Sequence, residues 1–195
     1  MSSKENQERF FNTMLELASQ VKINAETINT NDILKIIDLI LQIYNNKKRI
    51  FVYGAGRSGF IGRSFAQRLM HLGIKSCFVS DAVTHQYTNE DILILVSGSG
   101  ETTSTVAIAK KAKEIGGKII SFSNNTRNTI SKLSNYVIEI KGKSKDVVLD
   151  RKTLAPYTSL FDISTFAVLD SIGGILMKKL RLTEQDIDKR HASIE

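Results

Sequence analysis

Tryptophan is absent from this 195-residue chain, and cysteine and proline each occur once. A lone Cys77 excludes an internal disulfide and a thiolate zinc site. The three histidines are scattered, so no metal site is expected, and the thiol points to a reducing, cytoplasmic setting. With Pro156 as the only proline, no proline-rich linker divides the chain. The longest unbroken aliphatic run is Ile92 to Val96, far short of the ~20 residues of a spanning helix, so no membrane is expected. The polar start, Met1 to Asn6, has no apolar core and reads as no secretory leader. The net charge of +7 is not concentrated, and its densest run, Lys141 to Lys152, is interrupted by Asp146 and Asp150. Aromatic residues are not interleaved with the basic ones. The charge therefore reads as solvated helix faces, with no nucleic-acid partner, and as a modest field suited to a phosphorylated ligand.

What is present is the balance of a globular chain, 42% hydrophobic and 24% charged, long enough for one domain over residues 1–195. Residues 1–48 predict two leading helices. Phe10, Met14, Leu17 and Val21 recur at helical spacing in the first. The second opens at Asn31-Asp32, and its leucines and isoleucines run most of the way round, so one side is expected on the sheet and the other on a second subunit. Strands then alternate with helices. Strands are predicted at 49–53, 76–79, 92–96, 118–122 and 136–140. Helices are predicted at 60–71, 102–115, 126–133 and 158–180. Aliphatic strands without polar alternation mean a parallel sheet covered on both faces, a three-layer doubly wound α/β domain of five strands. Ligands of such sheets bind beyond the carboxyl ends of the strands.

Two loops lie at such ends. Gly54-Ala55-Gly56-Arg57-Ser58-Gly59 fits G-x-G-x-x-G between a strand and a helix, where glycines and free helix N–H groups admit an anion and Arg57 adds a cation. With Asp81 after the next strand, a nicotinamide-dependent dehydrogenase is one reading. Ser97-Gly98-Ser99-Gly100-Glu101-Thr102 follows the most apolar strand. One hydroxyl would suffice to cap a helix; three hydroxyls with two glycines make a phosphate cradle, which a dinucleotide enzyme does not need.

The second loop resembles the S-x-S-G-E-T phosphate loop of the sugar isomerase (SIS) domain family. Gly54 to Gly59 with Arg68-Leu69-Met70-His71-Leu72-Gly73, and the ending Lys189-Arg190-His191, resemble the 6-phospho-3-hexuloisomerase branch. The resemblance covers nearly the whole chain. It implies a flavodoxin-like sheet and interconversion of 3-hexulose 6-phosphate with fructose 6-phosphate through a cis-enediolate. It implies no cofactor, and a homo-oligomer, a tetramer, whose active sites are shared between subunits. It assigns the phosphate to Ser58, Ser97, Ser99 and Thr102 with backbone help from Gly56 and Gly98. The family's L-F-E stretch, carrying its base, reads Leu160-Phe161-Asp162 here, one methylene shorter. Asp162 is thus the candidate base, and His191 the candidate proton shuttle across a subunit boundary. Without the family, Asp162 is a first-turn carboxylate suited to the helix dipole and His191 a chain-end residue.

Two further stretches depart from the family. A G-E-T-T-T-P-like run becomes Ser80-Asp81-Ala82-Val83-Thr84-His85, and a P-M-G-T/S-like run becomes Pro156-Tyr157-Thr158-Ser159. Arg57, Thr84 and His85 are the expected sugar-side residues. An intact phosphate grip with altered sugar-facing loops leaves two alternatives beside the hexuloisomerase: an isomerase of another phosphosugar, and a non-catalytic sugar-phosphate-binding module.

Overall fold

The computed structural model describes residues 3–142 and 153–191. Most of the basic run at 141–152, and the residues after His191, therefore lie outside the described residues. Helices α1 (Ser3–Thr27) and α2 (Thr30–Asn45) lead into β1 (Ile50–Gly54), α3 (Gly56–His71), β2 (Ser76–Phe78) and β3 (Ile92–Val96). Then follow α4 (Thr103–Ile115), β4 (Lys118–Ser123), α5 (Thr129–Leu133), β5 (Tyr136–Glu139), α6 (Ser159–Lys179) and α7 (Glu184–Asp188). The five strands form one parallel sheet in the order β2-β1-β3-β4-β5, as expected of a doubly wound, flavodoxin-like domain.

Period-two alternation sorts the strand residues between two apolar layers. Ile50, Val52, Ile92, Ile94 and Val96 face α2, α3 and α6, whereas Phe51, Leu93 and Leu95 face α4 and α5. All five residues of β3 are buried, each contributing about 1.5–3 kcal/mol relative to exposure. Local chemistry sets the boundaries. The Asn29 side chain accepts from the Asn31 N–H to open α2, Gly116 at φ 94° closes α4, and a Thr183–Asp186 capping box starts α7. α6 has a mean hydropathy of 1.6 and the length of a membrane span, but it packs against the sheet layer, with α1, α2 and α3 beside it.

One side of α2 meets its own chain, as expected, and Leu34 and Tyr44 remain exposed on it. Ile36, Ile37, Leu39, Ile40 and Ile43 are buried within their own chain, under α6 and the end of the sheet. A further run of exposed apolar residues lies on the first half of α1, at Phe10, Phe11, Met14 and Leu15. α3 also starts earlier than the glycine pattern suggests, at Gly56. A Cβ at Gly54 would lie 2.7 Å from the Ser58 carbonyl oxygen and 2.8 Å from that of Val96, so glycine lets strand, helix and neighbouring strand close together.

Strand order reverses between β1 and β3, which pair in register from Ile50↔Ile92 to Gly54↔Val96. The crevice beyond their carboxyl ends is bordered by residues 54–59 and 97–102 and roofed by the start of α6.

Candidate active site

A cavity of about 210 Å³ fills this crevice. Its lower wall is the loop after β3. The Ser97 hydroxyl oxygen accepts from the Gly100 N–H at 3.2 Å, and that of Ser99 accepts from the Glu101 N–H at 3.2 Å. Each hydroxyl is thereby fixed as an acceptor inward and keeps its proton to donate outward. The N–H groups of Gly98 and Ser99 have no hydrogen-bond partner among the described residues. Thr102 starts α4 without using its side chain as a cap, so its hydroxyl is uncommitted at a helix amino terminus. Uncommitted donors converging beside a helix end make an anion site.

The loop is held from behind. The Gly98 carbonyl accepts from the Asn124 N–H at 3.1 Å and the Ser123 hydroxyl at 3.2 Å. Gly100 has φ 66°, and a Cβ there would overlap the Asn128 side chain. Asn128 is buried; its amide donates to the Ser123 hydroxyl oxygen, and its carbonyl oxygen accepts from the Ser131 N–H, both at 2.8 Å. Glu101 faces away from the cavity. Its carboxylate accepts the N–H and the hydroxyl of Thr129, each at 2.7 Å, and these bonds, the hydroxyl's first, hold its pKa below the ordinary value. A negative side chain inside the anion loop is thus spent on capping α5.

The opposite wall carries Arg57 and Ser58 from the first turn of α3, and Tyr157, Thr158, Phe161 and Asp162 from the approach to α6 and its first turn. Asp162 is 4% exposed. Its Oδ2 accepts from Arg57 Nε at 2.8 Å and from the Thr158 hydroxyl at 2.6 Å, and Oδ1 accepts from none of the described residues. Arg57 keeps a 64% exposed side chain. Among the lining residues, these two supply the only full charges.

The structure therefore brings Arg57, Ser58, Ser97, Gly98, Ser99, Thr102 and Asp162 together around one cavity, with Gly56 at φ 55° beside it and open space where a Cβ would stand. It places the other candidates elsewhere. Thr84 closes its own turn, its hydroxyl lying 2.8 Å from the Phe78 carbonyl and 3.0 Å from that of Val79. With His85 it lines a separate apolar groove over the second sheet face, beside Tyr87 and Ile108. Burial pushes the Tyr87 phenol pKa up, consistent with its role packing edge-on against Phe51.

His191 stacks on His71 with ring centroids 4.2 Å apart, at the far end of α3 from the cavity, a rise of about 22 Å. Arg190 pins this tail, donating to the His71 carbonyl at 3.0 Å. Asp81, the acidic residue of the dinucleotide reading, is ion-paired with Arg63, which also lies over the Phe78 ring. Tyr157 and Thr158 belong to the 156–159 stretch expected to flank the sugar, and both line the cavity. Thr158 stands four residues before Asp162, which puts hydroxyl and carboxylate on one helix face.

Known proteins share this architecture. The 3-hexulose-6-phosphate isomerase of Methanocaldococcus jannaschii is 36% identical over 181 residues, covering 92% of this chain and 96% of the relative. That of Bacillus subtilis is 33% identical over 181 residues, again covering 92% and 96%. A crystal structure of a Methanococcus jannaschii protein, for which a function of 3-hexulose-6-phosphate isomerase was inferred, matches with a TM-score of 0.78. The identity is 35%, covering 92% of this chain and 97% of that one. The model of the SIS domain matches residues 43–168, a span holding both glycine loops and Asp162, and the chain belongs to the SIS domain family.

Proposed function

We propose that this chain is a phosphosugar isomerase that interconverts 3-hexulose 6-phosphate and fructose 6-phosphate. It acts as a single domain over residues 1–195, in the cytoplasm and without a cofactor. The observation that carries the reading is the pairing of an anion cradle with a carboxylate in one cavity: Ser97, Ser99 and Thr102 on one wall, Asp162 on the other. Relatives named for this reaction align over more than nine-tenths of the chain.

The geometry fits the chemistry. The 6-phosphate takes the hydroxyls of Ser58, Ser97, Ser99 and Thr102 and the free N–H groups of Gly98 and Ser99, with Gly56 leaving the backbone open. This grip fixes the sugar chain so that C2 and C3 lie toward α6. Asp162, through Oδ1, takes the C2 proton of 3-hexulose 6-phosphate; the electron pair forms the C2–C3 double bond of the enediolate and the C3 carbonyl oxygen gains charge. Arg57 faces that charge. Return of a proton to C3, with loss of the O2 proton, gives the C2 ketone.

His191 at the far end of its own subunit serves only a neighbouring site. It moves the proton between the two oxygens within a homo-oligomer, for which we propose a tetramer. The apolar face of α1 at Phe10, Phe11, Met14 and Leu15 supports such association.

The test is direct conversion of 3-hexulose 6-phosphate, followed by the proton spectrum of fructose 6-phosphate. Turnover supports the reading. Binding of fructose 6-phosphate without turnover of either sugar contradicts it and leaves a binding module, the reading that the shorter Asp162 favours.

A further inference from the structure

α1 lies beside α6, with polar groups at its buried positions, where an amphipathic helix would carry apolar ones. Its only buried residues are Gln20 and Asn24. Together with Glu16 they recur every four residues, so all three lie on one face of the helix. Asn24, fully buried, clamps the backbone of Lys141 just past β5. Its amide donates to the Lys141 carbonyl at 2.7 Å and its carbonyl oxygen accepts the Lys141 N–H at 2.8 Å. Gln20 donates to the same carbonyl at 2.9 Å. One turn or more away, Glu16 Oε2 accepts the N–H groups of Leu154 and Ala155 at 2.8 and 2.9 Å.

These two attachments are the described ends of the β5–α6 connection, and the second leads straight into the cavity wall. From Ala155, itself buried, the chain turns through Pro156 and Tyr157. Tyr157 is held at φ 27°, a conformation that persists only where its surroundings over-determine it. The Ser159 N–H then bonds the Pro156 carbonyl at 2.8 Å, and the Asp162 N–H bonds that of Thr158 at 2.9 Å.

These side-chain-to-backbone bonds, part-buried at Lys141 and Ala155 and exposed at Leu154, are directional and so fix one geometry where apolar packing would tolerate several. From this juxtaposition, and resting on the isomerase reading above, we infer that Glu16, backed by Gln20 and Asn24, is a positioning residue for the reaction. It sets the backbone that presents Tyr157, Thr158 and Asp162 to the substrate, although it does not line the cavity itself. Glu16 touches neither phosphate nor sugar, so its removal moves the reacting carboxylate without weakening the phosphate grip. A displaced catalytic group lowers kcat and leaves KM, because the lost interaction belongs to the transition state.

The experiment compares Glu16→Ala and Glu16→Gln with the parent, as full chains. Glu16→Ala should lower kcat on the order of tenfold or more while KM moves less than about twofold. Glu16→Gln should restore most of the rate, because an amide carbonyl oxygen accepts the same two N–H groups. Amide hydrogen exchange on the unliganded proteins gives a second, activity-free reading. In Glu16→Ala the amides of Ala155, Ser159 and Asp162 should exchange on the order of tenfold faster, with β1 and β3 unchanged. Parental kcat in Glu16→Ala, no rescue by Glu16→Gln, or unaltered exchange at Ser159 and Asp162 would each overturn the inference. If the parent itself does not turn over 3-hexulose 6-phosphate, the isomerase reading fails, and the exchange comparison still decides whether Glu16 holds this wall.

Discussion

Arg57 reaches from the first turn of α3 to the first turn of α6 and donates its Nε to Asp162 Oδ2 at 2.8 Å. The carboxylate is buried and the guanidinium exposed, so the pair places one charge in the wall of the cavity and the other at its mouth. Together they join the first glycine-loop unit to the helix that roofs the cavity.

The proposed phosphate grip of the 97–102 loop can be tested without catalysis. Ser99→Ala combined with Thr102→Ala removes two hydroxyl donors from a charged ligand, each worth about 1.5–3 kcal/mol. Affinity for fructose 6-phosphate by titration calorimetry should fall at least on the order of a hundredfold, with little change in thermal stability. Undiminished affinity would place the phosphate elsewhere.

Gly100→Ala should damage both stability and binding. Its φ of 66° alone costs an L-residue about 1–2 kcal/mol, and the added methyl overlaps buried Asn128. A lower melting temperature together with lost phosphate affinity is the expected outcome; a parental melt would mean that the loop is not held as described.

Glu101 gives the molecule an acid-sensitive joint. Bonds from Thr129 hold its folded carboxyl below the ordinary 4.5, so the folded chain binds this proton less readily than the unfolded one. Its contribution to stability is complete above that ordinary value and is lost as pH falls through the lowered one. Melting temperatures from pH 7 to 3 should show this loss in the parent, and Glu101→Gln should show a smaller pH dependence in the same window.

Deleting residues 191–195 tests the shared site. His191 lies against His71 at the far end of α3, a rise of about 22 Å from its start, so the proposed role of His191 is one in a neighbour's site. The truncated protein should keep its phosphate affinity and its oligomeric mass in sedimentation while losing turnover. Full activity would make the tail a packing element against His71, and a monomeric parent at micromolar concentration would contradict the shared site altogether.

The parts of this molecule legible in its sequence are those set by local pattern. Ile92 to Val96 could only be a strand buried on both faces, and three hydroxyls with two glycines after it exceeded what a helix cap requires. Apolar circumference told that α2 is buried on one side against its own chain, where Ile36, Ile37, Ile40 and Ile43 lie, while Leu34 and Tyr44 stay exposed. Thr84 and His85 lie in a long connection without periodicity, so nothing in their spacing told which sheet face they would meet. The 156–159 stretch was expected beside the sugar, but the separate places of Tyr157 and Thr158 were not legible, because an irregular approach to α6 takes its position from contacts distant in sequence, among them Glu16. The polar series Glu16, Gln20, Asn24 was visible as spacing, but its purpose rests on backbone groups that no side-chain pattern reveals.

The central claim is that Asp162 removes the proton from the carbon beside the carbonyl. It is tested most directly by incubating fructose 6-phosphate in deuterated water and following loss of the C3 proton signal. The parent should exchange this proton, and Asp162→Glu should do so as fast or faster because the carboxylate reaches further. Asp162→Asn, nearly isosteric, should bind the sugar phosphate and leave the signal intact. Exchange by Asp162→Asn at the parental rate would contradict the account and place the base elsewhere.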